Sequence, residues 1–401
     1  MSAPLHILTT MPAERRTGCP FDPPPELVDA RAHGPISRYV FPGGKPGWLV
    51  TGYELVRSVL ADPRFSSRKD LMLHPTIDIT GMEIPPVPPG EFLLMDDPQH
   101  NRYRKPLVGK FTARRMRKLT ERVEQITAER LDAMEDAGPP TDLVTAFAKP
   151  VPAIMICELL GVPYEDRGSF QENIESLMDG ETSDEDLIAA VTATQEYLAE
   201  LVVTKRANPT DDVLSDLTDS DLTDEELRGM ALILLGAGFD TTANMLALGT
   251  FALLRNPAQL AALRADPGLA DGAVEELLRY LSVAKTFMRT ALDDVELGGQ
   301  TIEAGTVVIL SYSTANRDPE RFPDPHALDI RRQDGGHLAF GHGIHLCLGQ
   351  QLARVEMGVA LPALFERFPT LRLAVPDEEV RLRPEAADVY GVKSLPVTWD
   401  V

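Results

Sequence analysis

The stretch from Leu222 to Leu254 constrains the fold more than any other. It opens on Thr223-Asp224-Glu225-Glu226, a helix-capping signature in which a hydroxyl takes a backbone N–H and a glutamate reaches back. Behind that cap lies the most apolar segment of the chain, Met230 to Leu254, close to bilayer-spanning length. Asp240, Thr241, Thr242 and Asn244 sit at its centre, where a charge is costly in lipid. The segment therefore reads as a long buried helix of a soluble protein.

Further amphipathic spacing predicts helices over Tyr53–Leu60, Pro98–Val108, Ala113–Asp136, Leu143–Leu160, Glu165–Met178, Asp184–Lys205, Pro257–Ala265, Ala270–Leu281 and Leu348–Phe368. Met1 to Ala32 reads as irregular, with room for one short helix. The β-prone material is sparse: a hairpin around Pro42-Gly43-Gly44, then Phe287–Leu297, Gln300–Leu310 and the tail from Leu371. The fold class is mostly α with minor β. No linker, repeat or low-complexity run divides residues 1–401, so the expectation is one large domain. Phe65 to Glu91, broken by five prolines, is long enough to be a functional loop or lid as readily as a plain surface loop. A net charge of −22 argues against nucleic acid or an anionic membrane as partner. Three widely spaced cysteines and an N-terminus without a signal-like apolar core fit a reducing cytoplasm.

Four groups of residues carry chemistry. The long helix holds Gly236-Ala237-Gly238-Phe239-Asp240-Thr241-Thr242. An interior glycine costs about 1 kcal/mol against alanine, which suggests that something flat or bulky approaches there. A lone threonine would be read as bonding back to a carbonyl one turn earlier. The carboxylate beside it favours a functional site instead. Glu276-Leu277-Leu278-Arg279 sets an ion pair at i and i+3, either solvated or buried with further bonds that Arg321 could supply. His100, Arg104, Arg289 and His345, if they converge, would bind two carboxylates or a phosphate. Finally, the loop His337–Gly349 places Cys347 just ahead of a helix, whose N-terminus favours an anion. Cys347 is thus a candidate thiolate, a nucleophile or a metal ligand. His342, His345 and Cys347 also permit a zinc reading, although no fourth ligand is indicated.

Taken together, Phe340-x-x-Gly343-x-His345-x-Cys347-x-Gly349, Glu276-x-x-Arg279, Ala237-Gly238-Phe239-Asp240-Thr241-Thr242 and Pro319-Glu320-Arg321-Phe322 resemble the motifs of the cytochrome P-450 superfamily. The resemblance covers essentially the whole chain and is to its soluble actinobacterial haem-thiolate monooxygenases. It implies a helix-rich prism with haem b between the family's I and L helices and Cys347 as the axial thiolate. Phe340 would shield the sulfur, and Gly343, Gly349, Ala237 and Gly238 would line the ring. His100, Arg104, Arg289 and His345 would hold the propionates. Glu276, Arg279 and Arg321 would be structural, and Asp240 and Thr241 would pass protons to bound O2.

The same resemblance implies a monomer that draws NAD(P)H electrons through ferredoxin reductase and ferredoxin. A non-catalytic haem sensor is the rival reading. The basic run Arg102, Arg104, Lys105, Lys110, Arg114, Arg115, Arg117, Lys118 and Arg122 is a candidate ferredoxin patch in an otherwise acidic chain. A lipophilic small-molecule substrate would meet Leu93, Leu94, Met178, Leu232, Leu235, Val283, Thr286, Phe287, Val389 and Tyr390. Its roof would be the Phe65–Glu91 loop and the helices flanking Asp179–Thr182.

Overall fold

The computed structural model describes residues 6–12, 14–15, 18–178, 182–384 and 387–401. In chain order the helices are α1 (Pro25–His33), α2 (Tyr53–Ala61), α3 (Gln99–Val108), α4 (Ala113–Ala137), α5 (Pro150–Leu160), α6 (Arg167–Met178) and α7 (Asp184–Ala207). They continue as α8 (Val213–Thr218), α9 (Asp224–Arg255), α10 (Pro257–Ala265), α11 (Ala270–Leu281), α12 (Tyr312–Ala315) and α13 (Gln350–Arg367). The strands are β1 (Ile7–Leu8), β2 (Ile36–Val40), β3 (Pro46–Val50), β4 (Phe65–Ser66), β5 (Thr141–Asp142), β6 (Thr286–Ala291), β7 (Val295–Leu297), β8 (Gln300–Ile302) and β9 (Val307–Ser311). Short strand pieces follow in the tail. The chain folds into two compact units, the first of residues 1–86, 248–350 and 373–395, the second of 87–247, 351–372 and 396–401.

The first unit is built on a six-stranded sheet in the order β1-β2-β3-β9-β6-β4. The hairpin β2–β3 forms across Pro42–Gly44 as expected, and β3 runs parallel to β9. Alternation sends Trp48, Val50, Val308 and Leu310 to one core with Val56, Phe65 and Phe322. Leu49, Val307 and Ile309 go to the other, with Leu27, Tyr39 and Phe41. Both strands are therefore apolar without a break, as strands buried on two faces are. Each such buried side chain contributes roughly 1.5–3 kcal/mol. The expected single β-run from Gln300 to Leu310 is two strands, because Gly305 turns the chain between them at φ +81°.

The second unit is helical. At the start of α9 the capping box is realised: Thr223 N–H donates to Glu226 Oε2 (2.8 Å), and Glu226 N–H to Thr223 Oγ1 (3.2 Å). Gly90 and Gly229 let the chain before α3 lie directly on this helix, since a Cβ on Gly229 would stand 2.0 Å from the Pro89 carbonyl. The expected helix over Leu143–Leu160 splits into a π-turn at Val144–Ala148 and α5, because Pro150 and Pro152 supply no N–H and fit only a first turn. α7 and α9 are both long and apolar enough to cross a bilayer, but 56% of the most apolar window of α9 is buried within the protein. It is a core helix, as its central polar residues indicate.

Candidate active site

In the first unit the Cys347 loop is held by its own backbone. Gly341 N–H donates to Leu338 O (2.9 Å), Leu346 N–H to Gly343 O (3.1 Å) and Cys347 N–H to Phe340 O (2.9 Å). These bonds fold the loop on itself, with Cys347 half-buried three residues before α13. Gly341 and Gly343 take left-handed angles of +72° and +73°. A Cβ on Gly343 would lie 2.2 Å from the Leu60 carbonyl, so this glycine admits the end of α2. Gly349 has clear space beside it, with no atom within 4 Å of an added Cβ. The Phe340 ring packs 5.9 Å from His337. Cys157 is buried in α5 with its thiol pushed up to about 12 by desolvation, which makes it inert by contrast.

The Glu276–Arg279 pair is fully buried on α11 and bidentate, with both contacts at 2.8 Å. A buried pair holds only when its other bonding positions are filled. Arg279 donates to the carbonyls of Asn316 and Pro325, and Glu276 accepts from Asp329 N–H and from Arg332 Nε. The second guanidinium is thus Arg332. Arg321 instead donates to the Gly335 carbonyl and lies over the Tyr53 and Phe322 rings, because residues 329–332 turn back onto α11. From this network Asn316 reaches the loop: its Oδ1 accepts from Leu338 N–H (2.7 Å) and its Nδ2 donates to Ser282 Oγ (2.8 Å). His337 accepts from Ala339 N–H on Nδ1 and meets Glu275 through Nε2. The sequence shows the pair, but Arg332 and Asn316 carry no local signal and are found only in three dimensions.

Arg289 lies buried on β6, opposite Val308, and donates to the Met288 carbonyl (2.7 Å). His345 is half-buried in the 3-10 turn of the loop. In the second unit His100 and Arg104 stand one turn apart on α3. His100 is buried, 3.4 Å from Asp97, and desolvation holds its pKa below the usual value, with Arg104 adding to the effect.

Midway along α9, Ala237 is exposed while Gly236, Gly238, Asp240 and Thr241 beside it are half-buried. Thr241 Oγ1 donates to its carbonyl (2.8 Å). One turn beyond, Asn244 Nδ2 donates to Asp240 Oδ1 (3.0 Å) and to the Asp240 carbonyl (2.8 Å). Asn244 thereby orients the carboxylate, and its i+4 spacing was the available signal. Gly238 faces α5, where a Cβ would come within 3.2 Å of Ile156 Cδ1.

The expected pocket residues divide. Leu93, Leu94, Leu232, Thr286 and Phe287 keep exposed or half-buried surface, and Val283 is buried while Val389 bridges to Ala284. Leu235 is core at 1% exposure. Tyr390 turns to the N-terminal segment, donating to Pro20 O (2.8 Å) beneath the Arg15 guanidinium. The side chain of Met178 and residues 179–181 lie outside the described residues. The basic run is also less basic in space than in sequence. Arg102 pairs with Glu226 and Asp221, Arg115 with Asp216 and Asp211, Lys118 with Asp211, and Arg122 with Glu158. Folding brings the acids of 211–226 onto α3 and α4. Lys105, Arg114 and Arg117 stay exposed.

The Cytochrome P-450 family model matches residues 268–393, which include the Glu276–Arg279 pair and the cysteine loop. Cytochrome P-450 105C1 of a Streptomyces species is 50% identical over 382 residues, covering 94% of this chain and 96% of that protein. The chain belongs to the cytochrome P-450 family. Vitamin D3 dihydroxylase of Streptomyces griseolus is 42% identical, with 95% of each chain covered. The crystal structure of GfsF, a cytochrome P-450 of Streptomyces halstedii, superposes with a TM-score of 0.91 at 42% identity, covering 98% of this chain and 100% of that one. The fold is thus the cytochrome P-450 fold, mostly helical with minor sheet, and the chain is a monooxygenase of a haem-using family. Other relatives are a pentalenic acid synthase of Streptomyces avermitilis, 44% identical, and a nocardicin C N-oxygenase of Nocardia uniformis, 41% identical.

Proposed function

We propose that this cytochrome P-450 inserts one atom of O2 into a C–H or C=C bond of a medium-to-large lipophilic molecule of the polyketide, terpenoid, steroid-like or xenobiotic kind. The observation that carries the reading is the Cys347 loop, a half-buried thiol in a backbone-bonded turn three residues ahead of a helix. The residues present fit haem b. Cys347 offers the soft ligand that suits iron, and His100, Arg104, Arg289 and His345 are donors of the type that holds two propionates. Haem, when bound, supplies the activation of O2 and the oxygen transfer itself.

The chain's own groups prepare that chemistry. The Asn316 bond to Leu338 and the Glu276–Arg279–Arg332 network fix the loop, so the sulfur keeps one position. Amide N–H groups at the start of α13 favour the thiolate over the thiol. On α9 the Thr241 hydroxyl donates its hydrogen bond to Ala237 O, so its oxygen can accept one from a bound group. Asp240, fixed by Asn244, is the carboxylate from which a proton is relayed.

Electrons reach the site in this reading from NAD(P)H through ferredoxin reductase and ferredoxin in the cytoplasm. Lys105, Arg114 and Arg117 are the part of the basic run that an acidic carrier would meet. The apolar Leu93, Leu232 and Phe287 suit a lipophilic ligand, and the family likeness to a vitamin D3 dihydroxylase supports that substrate class. Replacing Cys347 by Ser tests the reading. The variant is expected to lose the red-shifted Soret band of the reduced CO complex, and retention of that band would remove Cys347 as the ligand.

A further inference from the structure

We propose that His6, Asp29 and His33 form a site for a divalent transition metal of the zinc type, remote in chemistry from the cysteine loop. One ligand atom from each of the three residues lies within 4.8 Å of the other two. Asp29 and His33 stand at i and i+4 on α1 and so share a face. His6 comes from the residue ahead of β1, where its carbonyl accepts Arg38 N–H (2.9 Å) and the strand is registered on β2. The two imidazoles stack with centroids 4.7 Å apart.

Three further features suit a cation. His33 Nδ1 stands beside Asp29, 2.9 Å from its carbonyl and 3.6 Å from its Oδ2, so an imidazole nitrogen already faces the carboxylate. His33 is in the last turn of α1, where the helix dipole favours positive charge. The neighbouring guanidinium groups are directed elsewhere, Arg31 to Asp318 (2.6 Å) and Arg38 over the Trp48 ring (3.8 Å).

Two imidazoles and one carboxylate with bonds near 2.0–2.2 Å, completed by water, make a four-coordinate zinc site. Ligands on such a centre stand about 3.4 Å apart. His33 and Asp29 are exposed and His6 is half-buried, so rotamer changes bring them inward without moving the backbone. The metal would fasten β1, a two-residue edge strand, to α1. Its effect is on the order of that strand, with no part in oxygen transfer.

The experiment uses the haem-loaded protein after chelation and dialysis. In calorimetric titration with zinc, the wild type is expected to take up one more equivalent than H33A or the double variant H6A/H33A. Cobalt should give the visible band of a tetrahedral ion in the wild type alone, and zinc should slow hydrogen exchange across β1 and α1. The variants lie on the surface, so an unchanged reduced-CO spectrum reports that they remain folded. Equal zinc uptake by the wild type and H6A/H33A would overturn the proposal, as would identical exchange in β1 with and without zinc.

Discussion

Glu356 on α13 gives the sharpest stability prediction. It is 3% exposed on a helix that also buries Leu352, Met357 and Ala360, and its Oε2 has no hydrogen-bond partner among the described residues. Desolvation pushes its pKa from 4.5 up to about 8. The folded protein therefore keeps a proton that the unfolded chain has released. Stability from this group is fully present below pH 4.5 and is lost as the pH rises through about 8. At 1.36 kcal/mol per unit, the total loss is about 4–5 kcal/mol, of which about 4 falls between roughly pH 5 and pH 9. Glu356→Gln keeps the shape and removes the titration. With an unfolding entropy near 2.1 cal/mol/K per residue over 401 residues, each kcal/mol moves Tm by about 1 °C. The buried amide shifts the whole curve by a constant, and every other titrating group cancels in the comparison. Thermal melts of wild type and variant, followed by circular dichroism across that range, should therefore diverge by about 4–5 °C, the wild type falling faster toward alkaline pH. Parallel curves would refute the reasoning, since they would mean that Glu356 ionises alike in both states.

Two further outcomes concern turnover. Thr241→Ala removes the hydroxyl that lies on the Ala237 carbonyl; NADPH consumption with a surrogate ferredoxin is expected to continue while peroxide released per product rises, and unchanged coupling would show the hydroxyl to be dispensable. Reversing Lys105, Arg114 and Arg117 to Glu should slow reduction by ferredoxin and flatten its dependence on salt, whereas the same reversal at Arg115, already paired with Asp216, costs stability first. Reduction rates equal to wild type in stopped flow would place the docking surface elsewhere.

The sequence by itself determined the fold class and the family. Those signals are local in the chain. A capping box, a cysteine three residues ahead of a helix, and an acid–alcohol pair at the centre of an apolar helix are each written in a few adjacent residues. Helix and hairpin placement followed for the same reason, since periodicity is read within a dozen positions. Where prolines compete with periodicity, as at Pro150 and Pro152, the backbone donor they lack decided the outcome. Only the tertiary structure decided which partner each of these residues meets. Arg332, fifty-six positions from Glu276, displaced Arg321 from the buried ion pair. Asn316 became the link from that pair to the cysteine loop. Gly343 admits the Leu60 carbonyl of α2, a contact no local pattern announces. The basic run lost much of its charge to acids about a hundred residues downstream. In each case the deciding term is a contact between distant segments. Its energy depends on geometry and desolvation after folding, and neither is encoded at one position of the chain.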